Sequence, residues 1–232
     1  MAKKPNFKEI NWSVDLDEVI LKKIEKARAK GAPIDLKNKD GRTILFDAII
    51  NERENIVPAI LAMGANVYAE DNFGFIPLML AVACKKESIY QDVVMKTTDI
   101  KVKEEVLFFA IDRRCDEERI QDLIISRGVS ANAKGEDGTT PLINVVAAGN
   151  VGNNWNKSLI KFLIDHGANP TLEDNYGLTA LGAIYQKIVW DKEVESILQN
   201  ACREFAKSKQ PIIKKTWKGF LHRILPGRDA RC

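Results

Sequence analysis

The chain has 232 residues, 45% of them hydrophobic, 29% charged and 7% aromatic, with a formal net charge of +3. That length buries a substantial core without disulfides or a structural metal, and so small a net charge gives no argument for nucleic acid as the partner. Two histidines, His166 and His222, leave little material for a histidine metal site or a catalytic triad, and the four scattered cysteines (Cys84, Cys115, Cys202 and Cys232) read as reduced thiols.

In chain order, residues 1–11 are expected to be a flexible N-terminus; MAKKPNFKEINW lacks the apolar core of a signal peptide. No later run approaches the roughly 18 apolar residues of a membrane-spanning helix, which points to a cytoplasmic protein. The next segment, DLDEVILKKIEKARAKGAPIDLKN, predicts one helix, with Asp15, Asp17 and Glu18 at its positive end and Lys26, Arg28 and Lys30 at its negative end. From there the glycines keep time. Gly31, Gly64, Gly128 and Gly167 are spaced by 33, 64 and 39 residues, and Gly41, Gly74, Gly138 and Gly177 repeat the same three intervals. Two series marching in step indicate an internal repeat of about 33 residues, with one interval covering two units and the last lengthened.

Each unit carries the same local chemistry. Asp/Asn-rich clusters around Gly41, Gly74, Gly138 and Gly177 predict tight turns. Thr43, Thr140 and Thr179 precede apolar runs as N-caps do, and Pro141 suits a first helical turn. Ile56/Ile60/Leu61 and Leu159/Phe162/Leu163 form single apolar stripes on second helices, each ending near a glycine suited to a left-handed C-terminal position. Around 101–133 the front signature is lost: KEEVLFFA stands where turn and cap belong, with Glu105 in the glycine position, while ERIQDLIISRGVSANA keeps the second half. Lys101–Glu105 is then either a remodelled turn or a special contact surface. In the following unit, AAGNVGNNWNKS reads as a loop insertion carrying Trp155, which either packs back on the helices or anchors a partner.

These units resemble ankyrin repeats. The family's T-P-L element is matched at Thr140–Pro141–Leu142 and partly at Thr43–Ile44–Leu45, Ile76–Pro77–Leu78 and Thr179–Ala180–Leu181; its closing G-A stands at Gly64–Ala65 and Gly167–Ala168. The resemblance covers roughly residues 12–202 and implies an all-α solenoid of about five repeats behind an N-terminal cap. It also implies a non-enzymatic module that binds a partner protein on its concave face, through turn tips and first-helix positions. Carried over unit by unit, those positions are Lys39, Asp40 and Arg42; Asn72, Phe73 and Phe75; Glu136, Asp137 and Thr139; and Asn175, Tyr176, Leu178, Gln186 and Lys187. Arg42, Phe73, Phe75, Asp137, Tyr176 and Leu178, with Trp155, form the candidate partner-binding set. Aromatic residues are unusual at such tips: they either serve as interface anchors or pack between neighbouring turns. The family occurs in ordinary cytosolic regulators and in effectors secreted into host cells, and both readings stay open.

Residues 203–232 fall outside the repeat. They hold nine Lys and Arg against two Asp and Glu, leaving 26 against 30 in the rest of the chain. Ile213, Trp217, Phe220 and Ile224 fall on one helical face, with Lys214, Lys215, Lys218 and Arg223 elsewhere. Three readings of this basic amphipathic helix compete: docking on the last repeat, attachment to an anionic membrane surface, or contact with another macromolecule. Catalytic motifs are absent: there is no phosphate loop of the G-x-x-x-x-G-K-[ST] type, no G-x-S-x-G and no H-E-x-x-H. No cofactor or metal is expected, and a monomer is.

Overall fold

The computed structural model describes residues 6–149, 154–186 and 191–208, and every regular element among them is an α-helix. A single helix, α1 (Asp17–Ala29), precedes five helix pairs. The pairs are α2 (Ile44–Ile50) with α3 (Ile56–Ala62), α4 (Pro77–Ala83) with α5 (Glu87–Lys96), and α6 (Ile100–Asp112) with α7 (Glu117–Ile125). They continue with α8 (Pro141–Ala148) and α9 (Asn154–Asp165), then α10 (Ala180–Tyr185) and α11 (Lys192–Ser208). This is the expected solenoid of five units behind a one-helix cap.

Local chemistry sets the ends of the helices. Thr43, Thr140 and Thr179 all occupy N-cap positions in extended backbone, and Pro77 and Pro141 open their helices. The hydroxyls of Thr140 and Thr179 accept the amides of Ile143 and Gly182, whereas the buried Thr43 hydroxyl has no partner among the described residues. At the other end Gly64 and Gly167 take φ of 86° and 87°, which lets Ala65 and Ala168 donate back to Ile60 and Leu163 and satisfy carbonyls the helix leaves open.

The first helices of the pairs stack in one row, α2–α4–α6–α8–α10, and most second helices stack in another, α1 against α3, α3 against α5, and α7 against α9 and then α11. Between the rows runs one continuous core, from Ile20 and Ile24 through Leu45, Ile60, Tyr90, Leu107 and Leu123 to Leu163 and Leu198. Each fully buried Ile or Leu contributes about 1.5–3 kcal/mol.

The α5–α7 junction is stitched by polar side chains. Tyr90, fully buried, donates its hydroxyl to Asp122 at 2.8 Å, and Arg127 Nε donates to the same carboxylate at 2.9 Å while reaching Gln91 and Met95. Burial opposes ionisation of Asp122, but the donors from Arg127, Ser126 and Tyr90 outweigh it and hold its pKa below the usual value. Arg119, 5% exposed, lies over the Tyr90 ring and closes the C-terminal end of α4 by donating to the carbonyls of Ala81, Val82 and Cys84.

Three expectations change. Residues 6–11 pack instead of hanging free: Phe7 and Ile10, with Trp12, lie against the core, and Lys23 Nζ donates to Glu9 O at 2.8 Å. At the other end α11 runs unbroken from Lys192 to Ser208, across the expected boundary at 202. The insertion is shorter than its composition suggests, since α9 begins at Asn154 and takes Trp155 into its first turn. The tail candidates Lys214, Lys215, Trp217, Lys218, Phe220 and Arg223, and Lys187, lie outside the described residues.

Arg119→Ala should cost about 2–4 kcal/mol in urea unfolding, because it strands the α4 carbonyls and opens a hole beside Tyr90. The exposed neighbour Arg113→Ala should cost no more than about 0.5 kcal/mol; equal costs would remove Arg119 from this role.

Candidate functional site

The glycine-centred clusters form four turns ahead of the first-row helices, each closed by one backbone pair. Asn38, Asp71, Gly135 and Asp174 donate their amides to Arg42, Phe75, Thr139 and Leu178 oxygens at 2.8–3.0 Å. In three of them a side-chain oxygen rigidifies the tip. Asn38 Oδ1 accepts the amides of Asp40 and Arg42, Asp71 Oδ1 those of Phe73 and Phe75, and Asp174 Oδ1 those of Tyr176 and Leu178.

The turns are linked in two pairs by identical bonds. Asn72 N donates to Asp40 O at 3.0 Å and its side-chain amide to Lys39 O; Asn175 N donates to Asp137 O at 2.8 Å and its side-chain amide to Glu136 O. Lys37 and Lys134 reach Glu70 O and Glu173 O in the same way, and the amides of Asn66 and Asn169 meet Asp35 Oδ1 and Asn132 Oδ1. Between the pairs no turn exists. There α6, at 13 residues against 6–8 in the other first-row helices, extends through the space, its N-terminus capped by Asp99 Oδ1 and by the Tyr68 hydroxyl, which accepts the amides of Thr98 and Asp99. Lys101–Glu105 is therefore helix rather than a remodelled turn.

The sequence-derived candidates separate on this frame. Phe73 is 67% exposed and Tyr176 80% exposed, each at the tip of a turn pinned by a carboxylate. Phe75 instead turns inward and meets the Phe109 ring edge-on at 5.7 Å. Arg42 Nε is committed to Asp71 Oδ2 at 3.2 Å, across the first pair. Burial would raise the Asp71 pKa, but the amides of Phe75 and Phe73 and the Arg42 guanidinium carry it below the ordinary value. Asp137 is exposed and serves the second pair through its carbonyl, and Leu178 is half-buried against the core. Beside Arg42, burial pushes Asp47 up to about 6 against the pull of that guanidinium. Arg42 and Asp47 share a cleft of about 490 Å³ with Phe7, Pro33 and Ile44, at the bare end of the first row.

A second cleft, of about 620 Å³, opens between the C-terminal ends of α4 and α6. Phe75, Phe109, Ala83 and Cys84 form its apolar wall, and Lys85, Arg113 and Arg114 its rim. Apart from Phe75, none of these residues was a candidate from the sequence. The available signal was the Arg113–Arg114 pair directly after the aromatic helix of the one unit without a turn. Burial raises the thiol pKa values of Cys84, Cys115 and Cys202, so none is poised as a nucleophile. His166 is held at its helix end, with Nδ1 2.8 Å from Phe162 O and its ring against Phe162. Among the described residues no group of three or more His, Cys, Asp or Glu could hold a metal, and no helix is long and apolar enough to cross a membrane.

Comparison with known proteins bears on the same architecture. The family model "Ankyrin repeat" matches residues 137–175, from one tip of the second turn pair to the other. The ankyrin repeat protein YahD of Escherichia coli (strain K12) is 21% identical over 162 residues, covering 68% of this chain and 80% of that protein. Among solved structures, an ankyrin repeat domain from Acinetobacter baumannii AYE superposes with a TM-score of 0.65 at 27% identity, over 80% of this chain and 93% of that one. A chain of the complex between the predatory endopeptidase Bd0816 of Bdellovibrio bacteriovorus and the immunity protein Bd3460 gives 0.55 at 18% identity, covering 82% and 93%.

Gly41 and Gly74 both take φ of 78°, but a Cβ on Gly41 would stand 2.3 Å from Asn72 Oδ1, whereas Gly74 faces open space because no turn follows it. Gly74→Ala should therefore cost only the left-handed backbone strain, about 1–2 kcal/mol. Gly41→Ala should cost at least about 1 kcal/mol more through the clash; equal losses in thermal unfolding would contradict the pairing of turns.

Proposed function

The chain is an ankyrin-repeat protein, and we propose that it acts as a non-enzymatic binding module whose partner protein docks on the concave face, against turn tips and first-row helices. The observation that carries this reading is the pair of exposed aromatic tips, Phe73 and Tyr176, each fixed by a carboxylate that accepts its own amide. With the backbone of each tip already fixed, less entropy is left to lose on contact, so more of the ring's burial goes into affinity. Ankyrin repeats are generally protein-interaction modules, and raised thiol pKa values with no catalytic family in view agree with a binding role. The neighbouring fold in the endopeptidase–immunity protein complex fits a protein partner as well. On this reading the module is a cytoplasmic monomer, and its surface is divided by α6 into two aromatic-tipped halves.

The test is affinity capture from cell extract with wild-type protein and a Phe73→Ala/Tyr176→Ala variant. Both side chains project into solvent, so the thermal midpoint should stay unchanged while recovery of the captured protein falls about tenfold or more. Equal recovery by the two proteins would remove the tips from the interface.

A further inference from the structure

We infer that the cleft between α4 and α6 is the site for a short acidic segment of the partner, a carboxylate beside an aromatic or large aliphatic side chain. The inference rests on the protein-binding reading above and names the chemistry that this part of the surface selects. Its wall is apolar: Phe75 and Phe109 meet edge-on at 5.7 Å, and Val82, Ala83 and Cys84 continue the surface along the end of α4. The rim is cationic. Lys85, Arg113 and Arg114 are all exposed, and Arg113 already lies over the Phe109 ring, 5.6 Å from its centroid. Among the described residues neither Lys85 nor Arg113 has a carboxylate partner, while the nearby Lys86 and Arg119 are paired with Glu54 and Glu87.

The cleft lies between the C-terminal ends of α4 and α6, beside the turnless unit: Val82–Lys85 line one side and Phe109 with Arg113–Asp116 the other, and the Phe75 ring meets that of Phe109. The structure holds it in shape from beneath, since buried Arg119 ties the carbonyls of Ala81, Val82 and Cys84, and Arg114 donates to Ala148 O at 2.7 Å. A carboxylate entering here gains charge-assisted hydrogen bonds from a planar guanidinium already stacked on an aromatic ring, and the adjoining side chain gains the apolar wall.

Charge also selects the length of the occupant. Outside residues 203–232 the chain carries 26 basic and 30 acidic residues, and Glu52 and Asp116 stand around the cleft. A long polyanion would run from a cationic spot into an acidic surface. A few acidic residues around one apolar anchor would not.

The direct test is fluorescence anisotropy with a fluorescein-labelled peptide of alternating Glu and Phe, beside versions with Lys for Glu or Ser for Phe and an oligothymidylate of similar charge. Wild-type protein should bind the Glu–Phe peptide in a salt-sensitive way, and both altered peptides about tenfold or more weakly. Lys85→Glu/Arg113→Glu should lose the binding, whereas Lys26→Glu/Lys30→Glu, the same charge change on distant α1, should retain it; Phe75→Leu, which keeps the volume, should weaken it. Equal binding of the Lys and Glu peptides, preference for the oligothymidylate, or wild-type affinity in Lys85→Glu/Arg113→Glu would each overturn the assignment. Because Lys85 and Arg113 lie apart from the Phe73 and Tyr176 tips, a negative peptide result with capture intact would remove the cleft alone. Loss of capture by every protein, wild type included, would remove the binding function itself.

Discussion

A helix pair of this size cannot bury its own apolar stripe, and the rest of the molecule follows from that constraint. With helices of mostly six to thirteen residues, each pair leaves one side of its first and second helices uncovered until a neighbour stacks on it. The core is accordingly continuous from Ile20 to Leu198, and its ends need special provision. At the N-terminal end α1 covers the second row, and Phe7, Ile10 and Trp12 pack against the core ahead of it. At the other end α11, 17 residues long, overreaches the unit it belongs to.

Stacking explains why unit three could lose its turn and remain in the array. The turn contributes bonds to its neighbours but little of the buried core; Val106, Leu107, Ala110 and Ile111 of α6 supply that, each fully buried. Its junction with the preceding unit leans on polar groups instead: the Tyr90–Asp122–Arg127 cluster and the fork of Arg119. Such groups are costly to bury and hold only when fully partnered. The functional consequence is a surface in two halves, each with a bonded pair of turns and one aromatic tip, and a cationic cleft where the halves meet.

Much of this was legible in the sequence, for a physical reason. Left-handed backbone at fixed places in each unit favours glycine strongly enough for two series, Gly31–Gly167 and Gly41–Gly177, to keep the same intervals even where apolar positions drifted. The loss of the front signature at 101–105 was equally visible, but its replacement by helix was not, since KEEVLFFA fits a helix as readily as an irregular turn. Side-chain direction was beyond reach. Phe73 and Phe75 are two residues apart and read alike, yet one lies at a tip and the other against Phe109, a residue 34 positions away. Arg42 looked like an anchor and is occupied by Asp71. Each of these depends on a partner from the next unit, and a single unit's pattern does not encode it. Gly- and Asn-rich composition likewise overstated the insertion, because Asn154 opens α9 where a longer loop was expected.

The central claim is that the turnless unit is a full member of one cooperative stack, binding the two halves together. Amide hydrogen exchange across a urea series tests it residue by residue. Amides in α4, α6 and α8 should exchange through a common opening with the same free energy and the same urea dependence. Exchange of α6 at low urea, with α4 and α8 then opening separately, would show two independent half-arrays joined by a weak spacer and would contradict the account.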